Sequence, residues 1–436
     1  MKVLVVGKGG REHTLAWKIA QSPRVEKIYA APGSPGIAQH AECIDIRVDT
    51  PASEPEKLQA EIDRLRDFAL EQQIDLTVVG PEDVLSAGIV DCFTASGLKT
   101  FGPTAAAARL EGDKAFSKDL MAAAGVPTAL HKNFSDSEAA IAYVRAQGAP
   151  IVIKASGLAA GKGVVVCQTE EEAIQAIREI MDDRIFGDSG NEVVVEEFME
   201  GEEASLFALT DGAEYVLLVT AQDHKAIYDG DKGPNTGGMG AYSPAPVMTP
   251  ELIRQAEEQV IRPVLDEMRN RGCPFQGVLY CGLMIDATGP RVVEFNCRFG
   301  DPEAQVILPM LKTDLVDVLE AACDGRLGEI EIENSTGAAV CVVLASGGYP
   351  GSYEKGKEIG NLEPFAGRDD LVVFHAGTAL EESRLVTAGG RVLGVTAMGD
   401  DIAAAVEKAY EAVAGISFEG AYCRRDIAHR ALARLK

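Results

Sequence analysis

The chain has 436 residues, 46% hydrophobic and 25% charged, with 41 Lys and Arg against 67 Asp and Glu for a formal net charge of −26. That length exceeds one small core and predicts two to four domains of an ordinary globular protein, with no apolar run near the ~18 residues that cross a bilayer. The charge argues against nucleic acid or an anionic membrane as a main partner, so any anion site must concentrate positive charge locally.

Residues 1–103 alternate strand and helix. Val3 to Val6 reads as a buried strand; one lysine and a very short apolar run do not make a signal peptide. A helix over 11–21, a strand over 27–30, a long charged helix over 54–72 and a strand over 76–79 ended by Gly80-Pro81 complete a doubly wound α/β pattern. Residues 104–328 read as an α+β unit with a small inserted lobe near 126–195. Its predicted elements are helices over 114–124, 170–181 and 250–270 and strands over 151–154, 164–167, 193–195 and 278–285. The stretch 230–240, rich in Gly and carrying Pro234, is expected to be too irregular for a regular element. Residues 329–436 form a small third α/β unit, with strands over 338–344, 371–374 and 391–397, a capped helix over 401–413 and no obvious chemistry. Nine dispersed cysteines without a CxxC pair suggest neither disulfides nor structural zinc and fit a reducing cytoplasm.

Chemistry concentrates in five segments. Glu294-Phe295-Asn296-Cys297-Arg298-Phe299-Gly300-Asp301-Pro302-Glu303 follows the apolar pair Val292-Val293. Residues two apart on a strand share a face, so Glu294, Asn296 and Arg298 are expected to look into one site. A carboxylate beside an amide oxygen suits Mg²⁺, and the arginine can hold a substrate carboxylate; alone, the string also reads as a salt-bridged strand end. Gly7-Lys8-Gly9-Gly10-Arg11-Glu12-His13 opens a helix after the first strand, where free N–H groups bind phosphate. The dinucleotide fingerprint fails there, because Glu12 stands in place of its third glycine and Ala30-Ala31 in place of the ribose acid. A sugar phosphate on Gly9, Gly10 and Arg11 fits better, with a plain tight turn as the alternative.

The run from Lys154 to Gly163 lies between two strands. It is not a Walker A loop, since three residues separate Gly157 from Gly161, Gly163 follows Lys162, and a strand comes next. It reads as a flap whose glycines fold over phosphates that Lys154 and Lys162 neutralise. The strand end Val193 to Met199 exposes alternating C=O and N–H groups that can read an adenine edge, with Glu203 placed for ribose; acidic strand ends are common, so this signal is weak alone. Gln222-Asp223-His224-Lys225, followed by Asn235-Thr236-Gly237-Gly238, suits a substrate-closing lid. His224 is a candidate general base, although a lone histidine beside an aspartate is commonly structural.

Taken together, Lys114, the Lys154 loop, the Glu196–Glu203 hinge and the Glu294/Asn296 pair occur in ATP-grasp order. With the Arg298–Glu303 string and the 222–225 and 235–242 segments, the whole chain resembles the phosphoribosylamine–glycine ligase (glycinamide ribonucleotide synthetase) family. The resemblance implies an N-terminal Rossmann-like domain, a central ATP-grasp domain and a small C-terminal domain. It implies ligation of glycine to 5-phosphoribosylamine through glycyl phosphate, with ATP and Mg²⁺ or Mn²⁺, in the cytoplasm and as a monomer. Carried over by position, Lys114, Lys154, Gly157, Gly161, Lys162 and Gly163 hold the nucleotide phosphates. Glu196, Glu197 and Met199 form the adenine hinge, and Glu203 meets the ribose. Glu294 and Asn296 ligate the metal. Arg298, Lys154 and Lys225 stabilise developing charge. Gly9, Gly10, Arg11, Asp223, His224, Lys225, Asn235, Gly237 and Arg298 line the substrates. Two departures stand out: the upstream neighbourhood where many ATP-grasp enzymes add a metal carboxylate is Cys281-Gly282-Leu283, and Ala226 stands where the family usually has arginine. Another ATP-grasp carboxylate–amine ligase or purine-pathway carboxylase, a non-catalytic nucleotide-binding regulator and a nicotinamide oxidoreductase stay open on the residues alone.

Overall fold

The structure is a computed structural model that describes residues 1–50, 54–158 and 163–434. Its N-terminal unit is a parallel sheet in the order Glu42–Cys43, Lys27–Pro32, Lys2–Gly7, Leu76–Val79, Thr100–Phe101. Val3, Leu4, Val5 and Val6 are wholly buried, as expected where helices cover both faces of a parallel sheet. The helix Gly10–Ile19 starts directly after the first strand, so its N-terminus and the strand ends lie at the same edge of the sheet.

The middle unit contains two antiparallel sheets. The small lobe orders His131–Phe134, Val193–Glu197, Ile151–Ala155 and Val164–Cys167, with the helices Ser137–Gln147 and Glu170–Ile177 burying their apolar faces against it. The larger sheet orders Tyr215–Leu217, Glu202–Asp211, Gln276–Asp286 and Gly289–Asn296. The helices Lys114–Ala124, Pro250–Ala256 and Arg262–Asn270 pack on it in one core. The last two are joined by the π turn Glu257–Ile261, so the expected single helix over 250–270 carries a wide turn in its middle.

The third unit corrects one expectation. Its sheet orders Gln222–Asp223, Gly240–Ser243, Ala338–Ala345, Arg391–Gly399 and Leu371–His375. The stretch 230–240 is therefore not simply irregular. Ala226–Tyr228 and Lys232–Asn235 form a hairpin with Gly233 at φ +82, and the strand after it pairs into the C-terminal sheet. Its glycines serve tight turns between short strands, which dilutes the period-2 apolar pattern that reveals longer ones. Asp401 caps the helix Ile402–Gly415 by accepting the Ala404 N–H at 2.8 Å. Among the described residues, no helix is long and apolar enough to cross a membrane.

A buried histidine cluster joins the first and third units. The His375 N–H donates to His13 Nδ1 at 2.8 Å, and the His13 ring lies 5.5 Å from that of His375 and 5.7 Å from that of His40. Burial, then His375 and His40, push His13 well down, and burial pushes His375 down to about 4. The unfolded chain takes up these protons near the ordinary value of 6.5 and the folded one only lower. Stability present above pH 6.5 is therefore expected to drain as pH falls toward 4, by about 3 kcal/mol for His375 alone. Melting curves across this window should be shallower in pH for His375→Gln than for the wild-type chain; equal steepness would remove His375 from the account.

Candidate functional site

The three units close around a cavity of about 350 Å³. One wall is a buried charge clamp. Asp113 accepts the Phe116 N–H at 3.0 Å and caps the helix Lys114–Ala124, which places Lys114 in the first turn and Lys118 one turn later on the same face. In the facing lobe, Val152 sits opposite Glu196 and Lys154 opposite Val194, so Lys154 and Glu196 are diagonal neighbours on one sheet face. Glu196 receives Lys154 Nζ at 2.9 Å on one oxygen and Lys118 Nζ at 3.2 Å on the other, all three side chains being at most 5% exposed. Lys154 also donates to Val293 O at 3.2 Å, and Lys114 to Gly157 O at 3.1 Å. Burial lowers Lys118 to about 8 against the pull of Glu196. Lys118 escaped the sequence reading, although its spacing from Lys114 was the available signal.

Opposite this clamp, Glu294, Asn296 and Arg298 all line the cavity. Glu294 pairs with Gly282 and Asn296 with Tyr280. A Cβ on Gly282 would sit 3.3 Å from Glu294 O and 3.5 Å from its Cγ, so a bare residue here leaves the carboxylate room. Burial alone would push Glu294 up; Lys225, Lys154, Lys114 and Arg298 outweigh it and hold the group below the usual carboxylate range. An ionised carboxylate beside an amide oxygen is a hard donor set that fits Mg²⁺ or Mn²⁺. The upstream neighbour Cys281 is a core thiol pushed far up by burial and adds no ligand.

Arg298 is held from two sides. Its Nε lies 3.3 Å from Glu82 and its Nη2 3.0 Å from Glu111, which also accepts the Cys297 N–H at 2.7 Å. Burial would raise Glu82, but Arg298 and Arg11 hold it at about 2. Burial pushes Glu111 up to about 7, with Arg298 opposing and Glu82 adding. Arg11 bridges Glu12 at 2.6 Å and Phe299 O at 3.2 Å, tying the N-terminal unit to the same strand end.

At the far end, Asp223 and Lys225 line the cavity while His224 between them does not. Extended backbone alternates sides, so His224 is turned into the third unit, where its Nε2 accepts the Ala428 N–H at 2.9 Å. His224 therefore lies outside this lining, away from the place expected of a substrate contact or a general base. Asn235 is an exposed hairpin residue outside the cavity, whereas its neighbours Thr236 and Gly237 line it. Tyr280 donates to Glu303 at 2.6 Å, and Arg391, from the unit expected to lack chemistry, donates to Gly237 O at 2.6 Å and Asp301 O at 2.7 Å.

Among the described residues, the cavity is lined by seven Lys and Arg and by seven Asp and Glu. A chain of net charge −26 thus builds a locally balanced site. Gly9 and Gly10 are not part of its lining. Glu12 reaches back to the Gly9 N–H at 2.6 Å, filling the hollow that Gly7 and Gly80 leave, and a Cβ on Gly10 would stand 2.6 Å from Gln305 Nε2. These glycines permit close packing around a buried carboxylate. Glu197 is spent on the Leu130 N–H at 3.0 Å and on Arg291, Met199 is buried outside the lining, and Glu203 accepts Lys225 Nζ at 2.5 Å. Gly163 lines the cavity; Gly161 and Lys162 lie outside the described residues.

Comparison with known proteins accounts for this arrangement. Residues 1–111, 112–304 and 339–430 match, in order, the N, ATP-grasp (A) and C domains of phosphoribosylglycinamide synthetase. The chain belongs to the phosphoribosylglycinamide synthetase family. Among its relatives, the phosphoribosylamine–glycine ligase of Agrobacterium fabrum is 52% identical with 100% of both chains covered. The Pseudomonas aeruginosa protein of that name is 50% identical over 100% of this chain and 99% of its own. The crystal structure of the Thermotoga maritima phosphoribosylamine–glycine ligase aligns with a TM-score of 0.82 at 33% identity, covering 98% of this chain and 100% of the other. A biotin carboxylase domain from Hydrogenobacter thermophilus, in complex with MgADP and bicarbonate, shares the fold at a TM-score of 0.73 and 18% identity, over 97% of this chain and 91% of that one. Within the phosphoribosylglycinamide synthetase architecture, the boundary between the N and ATP-grasp domains falls between Glu111 and Gly112, so the Glu111–Arg298 contact spans that boundary.

Proposed function

We propose that the chain ligates glycine to 5-phosphoribosylamine at the expense of ATP, as a soluble cytoplasmic enzyme of purine biosynthesis. The observation that carries this reading is Glu294 kept ionised by Lys114, Lys154 and Lys225 in one cavity. Phosphate oxygens can lie between the lysines and a cation held by Glu294 and Asn296. That cation, Mg²⁺ or Mn²⁺, supplies charge neutralisation on the phosphates. Lys114 and Lys154 hold the nucleotide phosphates, and Arg298 orients the carboxylate of glycine. A carboxylate oxygen attacks the γ-phosphorus, the bond to the β-phosphate oxygen breaks, and ADP leaves. The amine of phosphoribosylamine then attacks the acyl carbon of glycyl phosphate; the C–O bond breaks, and phosphate departs with one former carboxylate oxygen and the proton that the nitrogen gives up. No side-chain nucleophile is needed, and positioning with charge stabilisation provides the rate.

The test is isotopic. Glycine labelled with ¹⁸O in its carboxyl group is expected to transfer one label into orthophosphate for each ligation. Unlabelled orthophosphate formed alongside product would end the acyl-phosphate reading, and ADP release with another acid but none with glycine would end the substrate assignment.

A further inference from the structure

Arg298 follows directly on the strand that carries Glu294 and Asn296, and the backbone N–H between Asn296 and Arg298 is that of Cys297. One side chain holds both this N–H and the guanidinium: Glu111 accepts Cys297 N–H on Oε2 at 2.7 Å and pairs with Arg298 Nη2 through Oε1 at 3.0 Å. Its side chain is 9% exposed, so water competes little for either contact. Glu111 lies near the end of the helix Ala105–Gly112, and Asp113 caps the next helix, which opens with Lys114. The same short turn therefore fixes a phosphate lysine on one side and the end of the ligand strand on the other.

The donor count of Arg298 supports a working role for this grip. A guanidinium has five N–H groups. Among the described residues, Nε faces Glu82, one N–H of Nη2 faces Glu111, and Nη1 makes a long contact of 3.4 Å to Phe299 O. The remaining two can point to substrate oxygens only if the plane of the group is fixed, and two carboxylates on different edges fix a plane where one fixes only a hinge.

We propose that Glu111 is a positioning residue for the ligation: it sets the plane of Arg298 and the position of the Cys297 peptide, and thereby the alignment of the carboxylate under attack. This inference rests on the function proposed above. Glu111→Gln is the informative change, because an amide cannot satisfy both partners. If its oxygen accepts Cys297 N–H, its NH₂ meets the donors of Arg298, and the reverse orientation opposes Cys297. Steady-state kinetics of the full chain with ATP, glycine and phosphoribosylamine are expected to show kcat lowered by about 30-fold, as for loss of an aligning charge, with KM for ATP within about threefold. In an Arg298→Ala background the same change should cost less than about threefold, because the guanidinium that Glu111 aligns is already gone and only the Cys297 N–H contact is left to lose. A kcat near wild type, or losses that multiply in the double variant, overturns the proposal. Should Glu111→Gln not fold, Glu111→Asp replaces it: the shorter carboxylate cannot reach both partners, and the same two outcomes decide. If the wild-type chain makes no ADP with both substrates, the functional reading has failed. The crystal structure of the variant then decides the positioning claim, an Arg298 guanidinium displaced from Glu82 supporting it and an unmoved one refuting it.

Discussion

Lys154→Met is expected to lower turnover by about 1000-fold or more, the scale seen when a preorganised charge facing a transferring group is removed. Methionine keeps most of the length and volume, so packing changes little. What disappears is an ammonium that is 5% exposed and 2.9 Å from Glu196. Two consequences separate cleanly. Chemistry loses one of the two lysines proposed above to hold the nucleotide phosphates. Folding loses one of the two partners of a carboxylate that is 2% exposed. Removing every partner of a buried ion typically costs 3–5 kcal/mol; with Lys118 still in place, a cost of about 1–3 kcal/mol is expected. The double variant Lys154→Met, Glu196→Gln should then recover much of the melting temperature and none of the turnover. Single-turnover ADP formation and calorimetry measure the two losses. A Lys154→Met protein that turns over like the wild type removes the clamp from the mechanism, and a double variant that recovers activity makes the clamp purely structural.

How far the sequence discloses this site depends on how local each contact is. Glu294, Asn296 and Arg298 were legible because a strand's two-residue repeat carries its own geometry, and all three line the cavity. The doubly wound start was legible because Val3 to Val6 and Leu76 to Val79 are short apolar runs bounded by glycine and proline. His224 could be weighed both ways in the sequence, as a base or as a structural group: it sits between two cavity residues, and alternation turns it away from the cavity into the third unit. For Gly9 and Gly10 the sequence offers no distinction, because a glycine that admits a phosphate and one that admits a neighbouring carboxylate look identical in it; the structure adds the return of Glu12 to the Gly9 N–H. Glu82, Glu111 and Arg391 had no local signal. Each acts on residues far along the chain, as Glu82 does on Arg298 across 216 positions, and such contacts exist only once the three units have met.

Glu294→Gln is expected to lower turnover by about 1000-fold through a different route, the loss of metal grip. The amide keeps an oxygen toward the cavity and removes the one negative charge that Lys225, Lys154, Lys114 and Arg298 face together. A divalent cation would then meet net positive surroundings, so the Mg²⁺ concentration giving half-maximal rate is expected to rise by at least about tenfold. The stability change has a definite sign. The folded pKa of Glu294 lies below its ordinary value of 4.5, so its ionised form stabilises the fold above that pH, and the contribution is lost as pH falls through the folded value. The ligand-free variant should therefore melt below the wild-type chain at pH 7, and the gap should narrow in acid. Metal titration also sets this variant against Lys154→Met: removing a cation from the same cavity should tighten Mg²⁺ binding, removing the carboxylate should loosen it, and combining the two should bring the half-saturation point back toward the wild-type value. A half-saturation point that Glu294→Gln leaves unmoved would place the cation elsewhere, and the balance of charge at the cavity wall would then have to be explained without it.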